Sequence, residues 1–249
     1  MIDIHTHIIP GVDDGSRDLG TSILMAEMAA ESGVSAIIAT PHCNQRGVME
    51  NYVSDNLLKR MDSFREEVEK ENIDLDIAFG MEIYCTTDAP RLLREKKLLT
   101  LNGSRYVLVE FNFGIEISRM ERMLYSVMDG GYVPIIAHPE RYFALRGQPE
   151  MIADWIEEGI GIQINKGSVF GHFGRDARDF THELLRYGLV TCIASDAHGA
   201  DSRTTDMSGI YDYILTEFSV PEAERLLTEN PKRIYNDEPL LSGGDIEFF

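Results

Sequence analysis

Cysteine is scarce in this sequence. The 249 residues contain only Cys43, Cys85 and Cys192, and no two of them are spaced as a CxxC pair. Small folds that depend on disulfides use cysteine far more densely, so the composition argues against a disulfide framework and for a reducing compartment.

Long apolar runs are also lacking, and no basic segment precedes an apolar stretch near the start. We therefore expect neither a signal peptide nor membrane insertion, and we predict a cytoplasmic protein.

Positive charge is in short supply as well. Lysine and arginine together number 23 against 42 aspartates and glutamates, which gives a formal net charge of −19. Non-specific binding to nucleic acid depends on basic side chains that release counterions from the phosphate backbone. The composition therefore argues against nucleic acid as a partner. Some of the acidic excess could surround bound cations, although most of it must be ordinary solvated surface.

Short apolar runs alternate with amphipathic segments along the chain. The runs are MIDIHTH, VSAIIATPH, DLDIAFGME, RYVLVEF, YVPIIAHPE, GIGIQIN and LVTCIASDAH. The predicted helices include 18–32, 51–72 and 176–187, and further helix starts are indicated by Pro149 and by capping boxes at Ser118 with Glu121 and Ser219 with Glu222. This alternation has the spacing of β–α–β units around a buried parallel sheet. We predict one α/β domain, 1–239, and a C-terminal tail, 240–249.

Polar side chains end the apolar runs. Six of the seven runs end in histidine or a carboxylate, namely His5 and His7, His42, Glu82, Glu110, His138, and Asp196 with His198; the sixth run carries Gln163 and Asn165. The carboxyl ends of parallel strands in a barrel meet at one rim, where active sites collect. Buried imidazoles and carboxylates without partners are costly, and bound cations remove that cost. The pattern predicts a polynuclear metal site with nitrogen and oxygen ligands, which suits Mn, Fe or Zn.

Other histidines and acids near the runs have simpler explanations. Asp13 and Asp14 follow the first run in GVDDGS. We expect Asp13 to form a turn and cap a helix, which leaves Asp14 to reach back to the metal rim. His172 lies in a Gly-Phe loop and His182 in the middle of a helix, so neither is predicted to be a ligand.

The motifs HTH, TPH, GMEIY, VEF, AHPER and ASDAH resemble those of the polymerase and histidinol phosphatase (PHP) superfamily. Within it, MIDIHTHIIPGVDDGS, IIATPH and PIIAHPERY resemble the bacterial manganese-dependent protein tyrosine phosphatases of capsule and exopolysaccharide operons. The resemblance runs from Met1 to about Ile234. It implies a distorted, TIM-like (β/α)7 barrel with parallel strands, outer helices and three divalent metal ions, with Mn as the expected metal.

The resemblance also implies roles for individual residues. His5 and His7 would bind one ion, with Glu82 bridging and Asp196 shared. Glu110 and His138 match the ligands of a second ion, and Asp14, His42 and His198 match those of the third. Arg141 in HPER, and Arg203 after ASDAH, correspond to arginines that hold the phosphate.

The chemistry of these residue types fits phosphoryl transfer, which needs positioning and charge neutralisation more than covalent help. Bound metals lower the pKa of water, and arginine forks stabilise phosphoryl oxygens. A tyrosinate leaving group, whose conjugate acid has a pKa of about 10, makes little demand for a strong general acid. Our hypothesis at this point is direct attack by a metal-bridging hydroxide.

The segment from Cys85 to Arg91 fits C-x5-R, the spacing of thiol-based tyrosine phosphatases. That chemistry needs a cradle of backbone N–H groups, whereas this segment has no glycine and Pro90 has no N–H. We therefore expect no thiol mechanism.

Three functions follow from these readings. The first is a phosphotyrosine-protein phosphatase acting on a bacterial tyrosine autokinase that regulates capsule or exopolysaccharide synthesis. The second is a small-molecule phosphomonoesterase of the histidinol-phosphatase type. The third is a non-catalytic PHP module. The filled ligand positions favour an enzyme over the third.

Overall fold

Nine short parallel strands build the sheet structure of this protein, for which a computed structural model describes residues 1–243. The strands are β1 Ile2–Thr6, β2 Ala36–Ala39, β3 His42–Cys43, β4 Asp76–Phe79, β5 Glu82–Tyr84, β6 Tyr106–Glu110, β7 Val133–Ala137, β8 Gly161–Asn165 and β9 Cys192–Ala194. They form a three-stranded sheet in the order β1-β2-β4 and a six-stranded sheet in the order β3-β5-β6-β7-β8-β9. All strand pairs are parallel.

The predicted second and third strands are each broken in two, and this break distorts the barrel. Pro41 separates β2 from β3, because it has no N–H to give to a ladder. Gly80 separates β4 from β5 at a crowded point, where an added Cβ would lie 2.9 Å from Leu101 Cδ2. The first halves, β2 and β4, belong to the sheet of β1. The second halves, β3 and β5, belong to the sheet of β6. A parallel bridge between Thr6 and Ala197 connects the two sheets on the other side. The seven strand positions thus form the expected TIM-like, distorted barrel.

Helices cover the outside of the strands. Helices α1 to α10 are Leu19–Glu31, Asp55–Lys70, Ala89–Arg94, Ile117–Asp129, Pro149–Glu157, Lys166–Val169, Arg175–Arg186, Ser208–Glu217, Val220–Glu224 and Asn230–Tyr235. A π-helical stretch, Arg225–Glu229, joins the last two, and 3-10 turns lie at Leu101–Gly103 and Pro139–Arg141. Among the described residues, none of the helices combines the length and the apolar character that crossing a membrane requires.

The helix starts follow the sequence signals in most cases. Pro149 opens α5, and the Ser219 side chain accepts a hydrogen bond from the Glu222 N–H at the start of α9, as predicted. The prediction for Ser118 is wrong. Helix α4 already begins at Ile117, and Glu116 stands at its N-cap position without a capping hydrogen bond. Ser118 therefore lies inside the first turn, where its side chain cannot act as the cap.

Two apolar layers hold the barrel together. The outer layer packs strand residues against helix side chains such as Phe64, Leu124 and Trp155, all almost fully buried. The inner layer consists chiefly of strand residues, including Ile38, Leu108 and Ile135. Burial of each large apolar side chain contributes roughly 1.5–3 kcal/mol. This packing fixes the strands and hence the side chains at their carboxyl ends.

The predicted tail begins on this scaffold. Its residues 240–243 are described. The Asn230 side-chain amide donates a hydrogen bond to the Leu241 carbonyl and accepts one from the Leu241 N–H. Residues 244–249 of the predicted tail lie outside the described residues.

Candidate metal centre

Two buried imidazoles meet at the carboxyl end of β1. The Nε2 atoms of His5 and His7 lie 3.1 Å apart, and both side chains are fully buried. Alternation along the strand predicts that residues two apart share a face, and here the two rings converge on the same point. Two ring nitrogens that face each other at this distance need a proton or a cation between them.

Glu82, at the start of β5, lies at the centre of the cluster. Its Oε2 is 3.1 Å from His5 Nε2, 3.1 Å from His7 Nε2 and 3.0 Å from His42 Nδ1. This oxygen is nevertheless buried without a hydrogen-bond partner in the described structure. Burial alone would raise the pKa of the Glu82 carboxyl, but the surrounding imidazoles prevail and hold it well below its usual range. An orphan carboxylate oxygen inside a ring of nitrogen lone pairs fits bound cations.

Among the described residues, atoms that could bind a metal form three groups, and within each group the atoms lie within 4.8 Å of one another. The groups are His7, Asp14, His42 and His198; His5, His7 and Asp196; and His42, Glu82 and Glu110. Each group could hold a metal ion, and His7 and His42 each belong to two groups. Imidazole nitrogens and carboxylate oxygens are ligands for Mn, Fe and Zn, and no thiolate is present among them.

His138 joins the cluster through Glu82. The resemblance pairs His138 with Glu110 on one ion. Here His138 Nε2 lies 2.8 Å from Glu82 Oε1, whereas Glu110 Oε1 lies 2.9 Å from His42 Nδ1. Glu82 thus links the two. The Nδ1 atom of His138 is also buried without a hydrogen-bond partner in the described structure.

Asp14 lies at the mouth of the site. Its Oδ1 is 3.5 Å from His42 Nε2 and 3.6 Å from His198 Nε2, and its side chain is 56% exposed. The nearby His198 imidazole, together with His42, holds the pKa of Asp14 far below its usual range. The predicted reach of Asp14 back to the rim therefore agrees with the geometry.

Asp13 does more than the predicted turn. It accepts a hydrogen bond from the Gly15 N–H, which is the expected turn, but the cap of α1 is Asp18. The prediction that Asp13 caps a helix is therefore wrong. Its buried Oδ2 lies 2.7 Å from His7 Nδ1. A histidine ligand needs such an acceptor on its other nitrogen, and the first aspartate of GVDDGS supplies it.

Two amides on β8 orient further members of the cluster, a role that the sequence did not reveal. Gln163 Oε1 lies 2.8 Å from His5 Nδ1, so it can accept from that nitrogen and leave Nε2 free. The Gln163 amide donates to Asn165 Oδ1, and Asn165 in turn donates to Asp196 Oδ2. The other oxygen of Asp196 is left to face His5 and His7.

Two arginines border the cluster. Arg203 Nη2 lies 2.7 Å from Asp196 Oδ2, and Arg141 Nη1 lies 3.5 Å from the same oxygen. Both guanidinium groups remain partly exposed. Left-handed backbone occurs at His138, Asp196 and Arg203, with φ of 39°, 49° and 47°. Non-glycine residues adopt this conformation at a cost, and it clusters at functional sites.

The thiol alternative fails on geometry. Cys85 is buried, and burial raises the pKa of its thiol to about 12. Its own N–H is used, since it donates to the Glu110 carbonyl.

His172 is exposed, and His182 Nε2 pairs with the Val169 carbonyl. Neither belongs to the metal groups found in the described residues.

Comparison with known proteins gives one consistent family. Residues 1–236 match the family model "Capsular polysaccharide synthesis, CpsB/CapC". The chain is 35% identical to tyrosine-protein phosphatase YwqE of Bacillus subtilis over 241 residues, or 97% of this chain and 94% of that protein. It is 34% identical to tyrosine-protein phosphatase CpsB of Streptococcus pneumoniae, over 96% of this chain and 99% of that protein.

Solved structures agree with the sequence comparison. The crystal structures of YwqE from Bacillus subtilis and CpsB from Streptococcus pneumoniae, called unique metal-dependent tyrosine phosphatases, include a chain that matches with a TM-score of 0.90, 33% identity and full coverage of both chains. Dihydropyrimidinase from Brevibacillus agri matches with a TM-score of 0.56 at 10% identity, over 98% of this chain and 73% of that one. This second likeness concerns the fold alone.

Proposed function

Because this chain belongs to the CpsB/CapC family of capsular polysaccharide synthesis, we propose that it is a metal-dependent tyrosine-protein phosphatase. The observation that carries the proposal is the orphan Oε2 of Glu82, which lies within 3.1 Å of nitrogens from His5, His7 and His42. The protein relatives at about a third identity over nearly the whole chain bear the name of tyrosine-protein phosphatases.

The proposed cofactors are three divalent metal ions, with Mn as the first choice and Fe or Zn as alternatives. The proposed ligands are His5, His7, Asp14, His42, Glu82, Glu110, His138, Asp196 and His198. The three groups of ligand-type atoms support this number. When bound, such ions supply Lewis acidity that neutralises phosphoryl charge and acidifies water.

The side chains around the metal site have separate tasks. Asp13, Gln163 and Asn165 hold ligands in place through hydrogen bonds to His7, His5 and Asp196. Arg141 and Arg203 are proposed to bind the phosphoryl oxygens, because their partly exposed guanidinium groups offer charged, forked donors beside the cluster. Phenolate leaves readily at a conjugate-acid pKa of about 10, so the chain needs no strong general acid for this substrate class.

The proposed substrate is phosphotyrosine on a bacterial tyrosine autokinase that controls capsule or exopolysaccharide synthesis in the cytoplasm. The family description, which refers to capsular polysaccharide synthesis, supports this assignment. A phosphorylated side chain of a protein must reach the metals from outside, and Asp14 and the two arginines lie at the open mouth of the site.

The test is hydrolysis of a phosphotyrosine peptide by protein stripped with a chelator and then supplied with Mn²⁺. We expect activity to disappear on stripping, to return with Mn²⁺, and to survive in Cys85→Ser. Activity that ignores the chelator and is lost in Cys85→Ser would overturn the proposal. Faster turnover of histidinol phosphate than of the peptide would favour the small-molecule esterase. Metal binding without any turnover would favour the non-catalytic module.

A further inference from the structure

The loop Gly171–Gly174, with the sequence GHFG, has no role in the site described so far. It lies between α6 and α7, in the connection that follows the carboxyl end of β8. His172 is exposed and was set aside as a ligand, but its neighbour Phe173 is only partly exposed. Phe173 is the residue that this loop presents to the two arginines.

The Phe173 ring lies against both guanidinium groups. The Cζ atom of Arg141 is 4.6 Å from the ring centroid, and the Cζ atom of Arg203 is 5.5 Å from it. Arg141 also contacts Phe113, whose centroid is 4.5 Å away. These distances fall within the range of cation–π contacts, so one phenyl ring attracts two separate cations.

Neighbouring residues fix the position of the Phe173 ring. A Cβ added to Gly167 would lie 3.0 Å from Phe173 Cε2, so the absence of a side chain there makes room for the ring. Gly171 and Gly174 take positive φ values of 80° and 95°, which glycine adopts without strain. The His172 N–H donates to the Gly167 carbonyl, and the Gly174 N–H donates to the Gly171 carbonyl. The loop is therefore a fixed turn.

We propose that Phe173 is a positioning residue that holds Arg141 and Arg203 together in the arrangement that receives phosphate. This inference rests on the proposed function and adds a residue to it. Free arginine side chains sample many rotamers, and ordering two of them around an anion is unfavourable in entropy. A ring that contacts both guanidinium groups before the anion arrives removes part of that loss. The ring also keeps the two positively charged guanidinium groups close together beside the Asp196 carboxylate.

The proposal makes a measurable prediction for Phe173→Leu, which keeps an apolar side chain but removes the ring. A cation–π contact at an exposed site is worth about two- to fivefold in affinity, so the two contacts together correspond to about tenfold. We expect the inhibition constant of inorganic phosphate and the KM for a phosphotyrosine peptide to rise by about that factor. We expect kcat to change less and the Mn²⁺ content to stay the same. Phe173→Tyr, which keeps the ring, should have the wild-type values of both the inhibition constant and KM.

A matched control is available in the same region. Phe143 also stacks on an arginine, since Arg146 Cζ lies 4.8 Å from its centroid, but Arg146 turns to Asp176 on the outer surface. Phe143→Leu should leave phosphate inhibition unchanged, and an equal effect there would overturn the proposal.

Three further outcomes would also overturn it. Phosphate inhibition that stays unchanged while peptide KM rises would mean that Phe173 acts by contacting the substrate and not by positioning the arginines. Unchanged values of both constants would mean that the stacking is inconsequential. Loss of Mn²⁺ would assign Phe173 to the structure of the metal site. Direct titration of the Mn²⁺-loaded protein with inorganic phosphate applies even if no phosphotyrosine is hydrolysed, so failure of the proposed function is a separate result.

Discussion

Asp13 Oδ2 lies 2.7 Å from His7 Nδ1, and the same oxygen accepts a hydrogen bond from the His42 N–H at 3.0 Å. One carboxylate thus ties the end of β1 to the start of β3. Burial of Asp13 favours its neutral form, but His7 prevails and lowers the pKa of the carboxyl below its usual value. A negative acceptor on Nδ1 orients the ring and leaves Nε2 to face Glu82 and Asp196.

The first prediction concerns this carboxylate. Asp13→Asn keeps the size of the side chain but removes its charge, so it weakens the acceptor behind His7. We expect the affinity for Mn²⁺ to fall by about 10- to 100-fold, the usual effect of losing such a supporting group. Titration of the metal-free protein with Mn²⁺ measures this affinity.

Asp18→Asn is the matched control for the same substitution. Asp18 caps α1 through the Thr21 N–H, and asparagine is as good a cap as aspartate. We expect wild-type Mn²⁺ affinity and stability. If Asp13→Asn binds Mn²⁺ as tightly as Asp18→Asn does, the supporting role of Asp13 is wrong.

The second prediction concerns Arg141. Lysine keeps the positive charge but lacks the planar fork that matches phosphate oxygens. We expect Arg141→Lys to lower kcat/KM for a phosphotyrosine peptide by about 100-fold, the effect of removing one preorganised charged donor. The Mn²⁺ content should stay the same, because Arg141 is no ligand.

Arg146→Lys provides the comparison for Arg141→Lys. Arg146 also stacks on a phenylalanine, but its guanidinium pairs with Asp176 outside the site. Surface pairs of this kind contribute little, so we expect kcat/KM within about twofold of the wild type. Similar losses in the two variants would show that the effect is not specific to the fork of Arg141, and this would contradict its proposed role.

The rim of the site was predictable because it depends on two simple regularities. Parallel strands end at one rim, and residues two apart share a face, so the sequence alone brought His5, His7 and Glu82 together. The breaks within two predicted strands were harder to see. The apolar runs continue through Pro41 and Gly80, and only the position of Leu101 against Gly80 shows why the strand divides there.

The supporting residues were not predictable in the same way. Asp13 and Asp14 are adjacent in one loop, and the backbone path decides which of them contacts His7 Nδ1 and which faces His42 Nε2. Phe173 carries no periodic or spacing signal at all. Its role depends on a glycine six residues earlier that leaves room for the ring, and on two arginines from distant parts of the chain. Such relations exist only in three dimensions.

The third prediction concerns the loop that carries both aspartates. A Cβ added to Gly15 would lie 2.2 Å from the His7 carbonyl oxygen and 2.3 Å from His7 Cβ. The Ser16 N–H donates to that same carbonyl, so the loop cannot move away without losing this hydrogen bond. Overpacking against backbone costs about 1–3 kcal/mol. We expect Gly15→Ala to lower the free energy of unfolding by about that amount, as measured by chemical denaturation of the metal-free protein.

Gly209→Ala separates this clash from a general effect of alanine. Gly209 lies in the first turn of α8, and an added Cβ there would meet nothing within 4 Å. Alanine is the better helix former, so stability should stay the same or rise by less than about 1 kcal/mol. Because the loop around Gly15 positions Asp13 and Asp14, Gly15→Ala should also weaken Mn²⁺ binding, whereas Gly209→Ala should not. A Gly15→Ala protein with wild-type unfolding and wild-type Mn²⁺ affinity would show that the loop adjusts freely, and the contact between His7 and this loop would then not be what holds the two aspartates at the metal site.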